Sequence, residues 1–247
     1  MVGFVESIFW ITLMIIVVVY VARHYSKSRE NTSTIFELFQ ESMTKIDNPP
    51  KVVLFGDSIL NNSRYVPFGK SVGASLQDIY GAGFKTYAQD GALIHTVYNQ
   101  VEQYGIYNDS SGEASNDNTH IVISVGGNDM LNALNVHALS DEKVDKFASQ
   151  YESLIKHICT TFPYAYVYLL NVYHPKEERY QKITKYIDKW NESVSELIET
   201  DELKRVTLVD VDSVVVKEED FVSEVEPSSK GGKKIAKAVV SKINEYL

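Results

Sequence analysis

Cysteine and basic charge are both scarce in this chain. Its 247 residues include one cysteine, Cys159, so no disulfide within the chain can stabilise the fold. The 24 Lys and Arg residues are outnumbered by 33 Asp and Glu residues, which gives a formal net charge of −9. Because a protein that binds nucleic acid needs a basic surface, we do not expect a nucleic-acid partner.

Patterns typical of metal and phosphate sites are also missing. Histidines and acidic residues do not occur at paired ligand spacing on any one predicted element, and no glycine-rich phosphate-binding loop is present. We therefore expect neither a metal nor a cofactor. No internal repeat is visible, and a chain of 247 residues suits one α/β domain with an appendage.

One long stretch, Ile8–Ala22, has no charged residue, glycine or proline. With residues 2–7 it reaches the ~20 residues that a helix needs to cross a bilayer. We predict that residues 1–25 form a single-pass membrane anchor, which contacts the bilayer through residues 2–22. A cleaved signal peptide is the alternative. It would have basic residues before the apolar run and a small-x-small site after it, and neither is evident in this sequence. Basic residues follow the run and none precedes it, so we expect the rest of the chain on the cytoplasmic side.

Residues 26–50 are predicted to be a polar, partly amphipathic connector, which Pro49-Pro50 ends. Beyond it, short apolar runs alternate with helical patterns. The predicted strands are Val52–Phe55, Phe84–Ala88, His120–Val125, Ala165–Val172 and Val206–Val211, and the predicted helices are Ser71–Tyr80, Leu93–Tyr104, Ser140–Phe162, Glu177–Thr200 and Ser228–Leu247. For residues 51–247 this alternation predicts an α/β fold with a five-stranded parallel sheet and helices on both faces, a three-layer α/β/α sandwich.

The first strand leads into a candidate nucleophile. Val52–Phe55 has no polar break, which is typical of a buried parallel strand, and Gly56-Asp57-Ser58 ends it abruptly. A glycine at this point allows a sharp turn that places the serine at the carboxyl edge of the sheet, where open α/β sheets bind their ligands. Gly-Asp-Ser is also an ordinary turn sequence, so the motif alone does not establish that Ser58 is a nucleophile.

Two further strand exits carry glycines and polar residues, Gln89-Asp90-Gly91 and Gly126-Gly127-Asn128-Asp129. In a parallel sheet these exits lie on the same edge as Ser58. The arrangement suits acyl transfer, in which Ser58 attacks a carbonyl carbon while backbone N–H groups of Ser58 and Gly91 and the Asn128 amide bind the oxyanion. An ordinary bend at Gly91 and an ordinary turn at Asn128 are the alternatives.

These blocks resemble those of the SGNH (GDSL) hydrolases, which are flavodoxin-like α/β esterases with a serine, a glycine and an asparagine in blocks of this kind. The resemblance covers residues 51–247. It implies an SGNH/flavodoxin-like fold and a serine hydrolase with Ser58 as the nucleophile and Gly91 and Asn128 in the oxyanion hole. We place Asp57 in the same oxyanion and substrate-binding group.

The fourth block departs from the family pattern, which is Asp-x-x-His-Pro before the last helix. Here Glu226 stands at the histidine position before Pro227, and Ser223 stands at the aspartate position. Glutamate is a weaker base than histidine by about two pKa units, worth roughly 3 kcal/mol, and burial would recover part of that difference. Glu226 is therefore a candidate base. The alternative is an acid at the start of the last helix, favoured by the helix dipole.

His174 is the second candidate base, because it follows the fourth predicted strand at the same edge of the sheet. With either base, we predict a membrane-anchored serine hydrolase that cleaves an acyl or acetyl carboxylic ester, small or lipid-like. The alternative is a catalytically weak or inactive member that binds an ester, a glycan or a protein partner. A structural membrane protein that retains only the fold is a weaker hypothesis. The sequence indicates no oligomeric state.

Overall fold

The computed structural model describes residues 50–109, 118–200 and 203–247. The predicted anchor, residues 1–25, and nearly all of the predicted connector lie outside these residues. None of the helices in the described part of the chain is long and apolar enough to cross a bilayer.

Five parallel strands form one sheet, as the sequence predicts, and their order across the sheet is β2-β1-β3-β4-β5. The strands are β1 Lys51–Gly56, β2 Phe84–Thr86, β3 Thr119–Ser124, β4 Tyr166–Leu170 and β5 Val206–Val209. β1 and β3 lie side by side in the middle of the sheet and are almost wholly buried, which is why their sequences are continuous apolar runs. The carboxyl end of each therefore lies between those of two neighbouring strands, one on either side.

The α-helices of the described residues are α1 Val72–Tyr80, α2 Ile94–Asp109, α3 Gly127–Asn135, α4 Asp141–Thr161, α5 Thr184–Ile198 and α6 Ser229–Ile243. Serine side chains cap the first turns of α1, α4 and α6, where Ser71, Ser140 and Ser228 accept hydrogen bonds from backbone N–H groups. The predicted helix 177–200 is in fact a 3₁₀ segment, Glu178–Ile183, followed by α5.

Helix α3 was not predicted, because its first residues are Gly127 and Asn128, which are typical of turns. The helix forms because Met130 and Ala133 are buried against the core. Tertiary packing thus overrides the weak local preference.

Alternate residues of each strand face opposite layers. Val53 and Phe55 of β1 belong to a large apolar cluster with residues of α2, α4 and α5, whereas α1 packs against α6 on the other face of the sheet. The predicted three-layer arrangement is confirmed.

Candidate active site

The turn after β1 depends on Gly56. Its φ of +131° is one that side-chain-bearing residues rarely adopt, and an added Cβ would lie 1.9 Å from the carbonyl oxygen of Ser124 on β3. The buried Gln100 amide of α2 holds this glycine from the other side. It accepts from the Gly56 N–H at 2.6 Å and donates to the Gly56 carbonyl at 3.0 Å. The backbone before Ser58 is therefore clamped on both sides.

Asp57 stabilises the same turn from within. Its side chain is buried, and Oδ1 accepts hydrogen bonds from the Ser124 hydroxyl at 3.0 Å and the Ile59 N–H at 3.1 Å. Burial raises the pKa of Asp57 to about 7, and the two hydrogen bonds oppose that rise. The residue lies in the wall of the cavity at Ser58, but its hydrogen bonds are to the turn. A contact between Asp57 and substrate stays a prediction.

The Ser58 hydroxyl donates a hydrogen bond to Glu226 Oε1 at 2.9 Å, across 168 positions of sequence. Glu226 Oε2 is buried and has no hydrogen-bond partner among the described residues. Burial raises the pKa of Glu226, and the nearby Asp90 carboxylate acts in the same direction, while the Ser58 hydrogen bond lowers it. The structure thus brings together the predicted nucleophile and one of its two candidate bases.

The loop 221–227 carries Glu226 to this position. Its two ends meet in an antiparallel bridge between Phe221 and Pro227, and the Val222 N–H donates to the Glu226 carbonyl at 3.0 Å. From outside the loop, the Tyr173 hydroxyl donates to the Val225 carbonyl at 2.7 Å. These contacts hold the loop on both sides of Glu226.

Asn62 connects this loop to the turn that follows Ser58. The side chain is fully buried, donates to the Pro227 carbonyl at 3.0 Å and accepts from the Val72 N–H at 2.9 Å. Because Asn62 lies four residues after Ser58, it couples the position of the candidate base to that of the nucleophile.

His174, the other candidate base, has both ring nitrogens occupied elsewhere. Nδ1 lies 2.8 Å from Asp212 Oδ1, and Nε2 lies 3.0 Å from Asp188 Oδ1. His174 is also not among the described residues that line the cavity at Ser58. The structure therefore does not bring His174 to the nucleophile.

Of the predicted oxyanion donors, Ser58 and Asn128 line the cavity, whereas Gly91 is not among its described lining residues. Asn128, in the first turn of α3, lines it, and its amide donates to the Ala92 carbonyl at 3.2 Å. Gly91 precedes Ala92 in the adjacent loop. Within the described ranges, the backbone N–H groups of Ser58 and Gly91 donate to no protein acceptor. Their role in an oxyanion hole stays a prediction.

Two further contacts fix the position of Asn128. Gly126, with φ +110°, lies directly against the ring of Trp190, so that an added Cβ would meet the ring at 2.3 Å. Asp129 is buried and accepts from the Ile94 N–H at 3.2 Å, and burial raises its pKa to about 6. Helix α3 therefore begins in a site with room for glycine only.

The sequence analysis missed Asn62, Gln100, Ser124 and Tyr173 as parts of this site. Gln100 was detectable, because it lies three residues after Val97 and four before Tyr104 and so falls on the apolar face of its helix. Ser124 is likewise a polar residue in a buried strand. Asn62 and Tyr173 had no such local signal, since their partners are distant in sequence.

A GDSL-like lipase/acylhydrolase family model matches residues 52–239. Among similar solved structures, one is a member of the lipolytic protein G-D-S-L family from Veillonella parvula DSM 2008, with 17% identity, 77% of this chain and 96% of that chain covered and a TM-score of 0.58. Another is phospholipase A1 from Streptomyces albidoflavus NA297, with 16% identity, coverages of 78% and 98% and a TM-score of 0.56.

An acetyl xylan esterase, AlAXEase, is similar with 17% identity, coverages of 77% and 98% and a TM-score of 0.55. At such identities these structures support the fold alone. No curated protein sequence is significantly similar to the chain. Because the matched residues run from β1 into α6 and include the whole candidate site, this chain belongs to the family of GDSL-like lipases and acylhydrolases.

Proposed function

We propose that this protein is a serine hydrolase of carboxylic esters, with Ser58 as the nucleophile and Glu226 as the general base. The observation that carries the proposal is the 2.9 Å hydrogen bond from the Ser58 hydroxyl to Glu226 Oε1. A general base must lie within hydrogen-bond reach of the proton that it removes, and Glu226 does. The names of two structural relatives, a phospholipase A1 and an acetyl xylan esterase, denote hydrolysis of carboxylic esters.

In the first step, Ser58 Oγ forms a bond to the ester carbonyl carbon while its proton passes to Glu226. The C–O bond to the alcohol then breaks, and Glu226 returns the proton to the leaving alkoxide. In the second step, Glu226 takes a proton from water, whose oxygen attacks the acyl carbon. The bond from that carbon to Ser58 Oγ then breaks, and Glu226 returns the proton to Ser58, which frees the acid and restores both residues. A pair of groups thus does the work that a three-residue arrangement does in other serine hydrolases.

The weaker basicity of glutamate is the main obstacle to this mechanism. Its ordinary pKa is about two units below that of histidine, which corresponds to roughly 3 kcal/mol. Burial raises the pKa of Glu226 and so recovers part of the difference. A histidine base needs an aspartate to set its ring tautomer, whereas glutamate has no tautomer to set. The absence of an aspartate at position 223, where Ser223 stands, should therefore impair a glutamate base less than a histidine base.

The oxyanion of the tetrahedral intermediate would accept hydrogen bonds from the Ser58 N–H, the Gly91 N–H and the Asn128 amide. Support for this assignment comes from the two unpaired backbone N–H groups and from the position of Asn128 in the cavity wall. Donors fixed before the reaction stabilise a developing charge at little cost in reorganisation.

We also propose that residues 2–22 anchor the enzyme to a membrane, with the hydrolase domain on the cytoplasmic side. The support is the uncharged run Ile8–Ala22 and the basic residues that follow it. An anchored hydrolase would meet small or lipid-like esters near the bilayer.

The proposal is tested with a fluorophosphonate probe and with p-nitrophenyl acetate. Wild type should be labelled and should release p-nitrophenol, and Ser58→Ala should lose both properties. Ser153→Ala, at an exposed position of α4, is the matched control and should keep both. Labelling and turnover that persist in Ser58→Ala would overturn the proposal. If wild type shows neither, while it binds a non-hydrolysable ester analogue, the protein is a binding module.

A further inference from the structure

The cavity at Ser58 has a volume of about 50 Å³. Its apolar wall includes Met130, Leu131, Val172, Ile183, Ile187 and Val225. Met130 has no exposed surface, and Ile183 and Ile187 have 2% each, so these side chains close the cavity from the core side.

This volume is far below the roughly 300–1,000 Å³ of sites that bury a drug-sized ligand. Four residues of its wall belong to the packed apolar core, which does not take an extra methylene without strain: Met130, Val172, Ile183 and Ile187. A long acyl chain would therefore have no room beside Ser58, whereas a short one would.

The closed side of the cavity suits the acyl part of an ester. The acyl group stays covalently bound to the serine until water releases it, while the alcohol must depart after the first step. A pocket that is closed on one side by Met130, Ile183 and Ile187 can hold the group that stays, while the alcohol departs through the open side. The Asn128 amide in the same wall would donate a hydrogen bond to the carbonyl oxygen of the ester.

The charges in the cavity wall further restrict which acyl groups the cavity can accept. The acidic residues Asp57 and Glu226 line the cavity, and no Lys, Arg or His is among the described residues that line it. An anionic acyl group would lie close to Glu226 with no cation to compensate its charge, and burying an unpaired charge is costly.

On the basis of the proposed function, we infer that this cavity selects esters with a short, uncharged acyl group, and that Met130 limits the length of that group. Met130→Ala removes the Cγ, Sδ and Cε atoms from the closed end and so extends the cavity into the core.

The test uses p-nitrophenyl acetate, butyrate and octanoate, which share one leaving group. For wild type, kcat/KM for octanoate should be at least about tenfold below that for acetate or butyrate, since misfit of even one methylene in an apolar pocket costs roughly tenfold or more. Met130→Ala should raise the octanoate-to-acetate ratio by about tenfold. Ile158→Ala, a fully buried position of α4 away from the cavity, should leave the ratio unchanged.

Leu131→Ala, at a less buried position of the same wall, provides a second enlarging variant in case Met130→Ala does not fold. Equal rates for acetate and octanoate in wild type, or a ratio that neither enlarging variant moves, would overturn the inference while leaving the Ser58 mechanism intact. If kcat/KM differed more between phenyl acetate and 1-naphthyl acetate than between p-nitrophenyl acetate and p-nitrophenyl octanoate, the cavity would bind the alcohol part of the ester. That result would also overturn the inference. If wild type showed no Ser58-dependent turnover of any of these esters, that result would instead contradict the proposed function.

Discussion

At the scale of single residues, the Ser58–Glu226 pair carries the proposed chemistry. Glu226→Gln keeps the shape and the acceptor oxygen at Oε1 but cannot take a proton, so it should abolish ester hydrolysis and leave the unfolding midpoint unchanged. Glu224→Gln is the matched control in the same loop, where Glu224 pairs with Arg179 and Tyr180 rather than with Ser58. Undiminished hydrolysis by Glu226→Gln, measured on p-nitrophenyl acetate, would remove Glu226 from the mechanism.

The pH profile of wild type provides an independent test of the same residue. Glu226 acts as a base only when it is deprotonated, so kcat/KM should rise with pH through one ionisation. Because burial raises the pKa of Glu226, that ionisation should lie above the ordinary glutamate value of ~4.3. If His174→Ala, and not Glu226→Gln, removed the activity, the base would be His174.

The raised pKa of Asp57 makes the stability of the fold depend on pH. Its pKa in the folded state is raised to about 7 from an ordinary value of 3.8, so the proton is bound more tightly in the folded state than in the unfolded state. The stability that this proton contributes is present in full below the ordinary pKa and is lost as pH rises through the folded-state pKa of about 7.

Asp57→Asn cannot titrate and keeps an oxygen for the Ser124 and Ile59 donors. Urea unfolding from pH 4.5 to 8 should therefore show wild type losing stability relative to Asp57→Asn as pH rises. The comparison isolates Asp57, because Asp129 and Glu226 titrate in both proteins. Asp145→Asn, an exposed position of α4, should track wild type throughout, and parallel curves for Asp57→Asn would refute the prediction.

At the scale of elements, helix α3 presents Asn128 at the start of its first turn. Asn128→Ala should keep the fold, because the side chain is only half-buried, and should lower kcat by about a hundredfold or more, as loss of one oxyanion donor does. Asn132→Ala, at an exposed position of the same helix, should change kcat little. Near-normal kcat in Asn128→Ala would exclude its amide from the oxyanion hole.

The loop 221–227 shows how much of the site belongs to elements without regular structure. Asn62 and Tyr173 reach it from two different segments and bind the backbone carbonyls on either side of Glu226. Because the partners are backbone atoms, the anchoring does not depend on which residue stands at position 226. The loop can thus hold a glutamate at position 226, where the family pattern has a histidine, without losing these contacts.

At the scale of the whole molecule, the predicted anchor and the hydrolase domain should be separable. Full-length protein should stay with membranes after carbonate extraction, because ~20 apolar residues in a helix span a bilayer. A chain beginning near Lys51 should remain in the supernatant and keep the Ser58-dependent activity, since the whole described site lies after that residue. Release of the full-length chain by carbonate would contradict a spanning helix.

The sequence by itself determined the sheet. Apolar runs that alternate with helical patterns, each ended by glycine or polar residues, favour a parallel sheet, and parallel strands place their exits on one edge. Ser58, Gly91 and Asn128 follow from that rule, because each comes directly after a strand or its turn. The boundaries of strands differ by a residue or two from those predicted, since hydrogen bonding and not hydropathy ends a strand.

Only the tertiary structure shows which of the two candidate bases, Glu226 or His174, lies beside Ser58. Both are expected at the carboxyl edge of the sheet, and the sequence favours Glu226 only through its match to the family's histidine position. Contacts between distant segments decide their positions: Asp212 and Asp188 hold the ring of His174, whereas Tyr173 and Asn62 hold the loop that brings Glu226 to Ser58. A hydrogen bond across 168 positions depends on where the folded chain places two side chains, which local residue preferences do not encode.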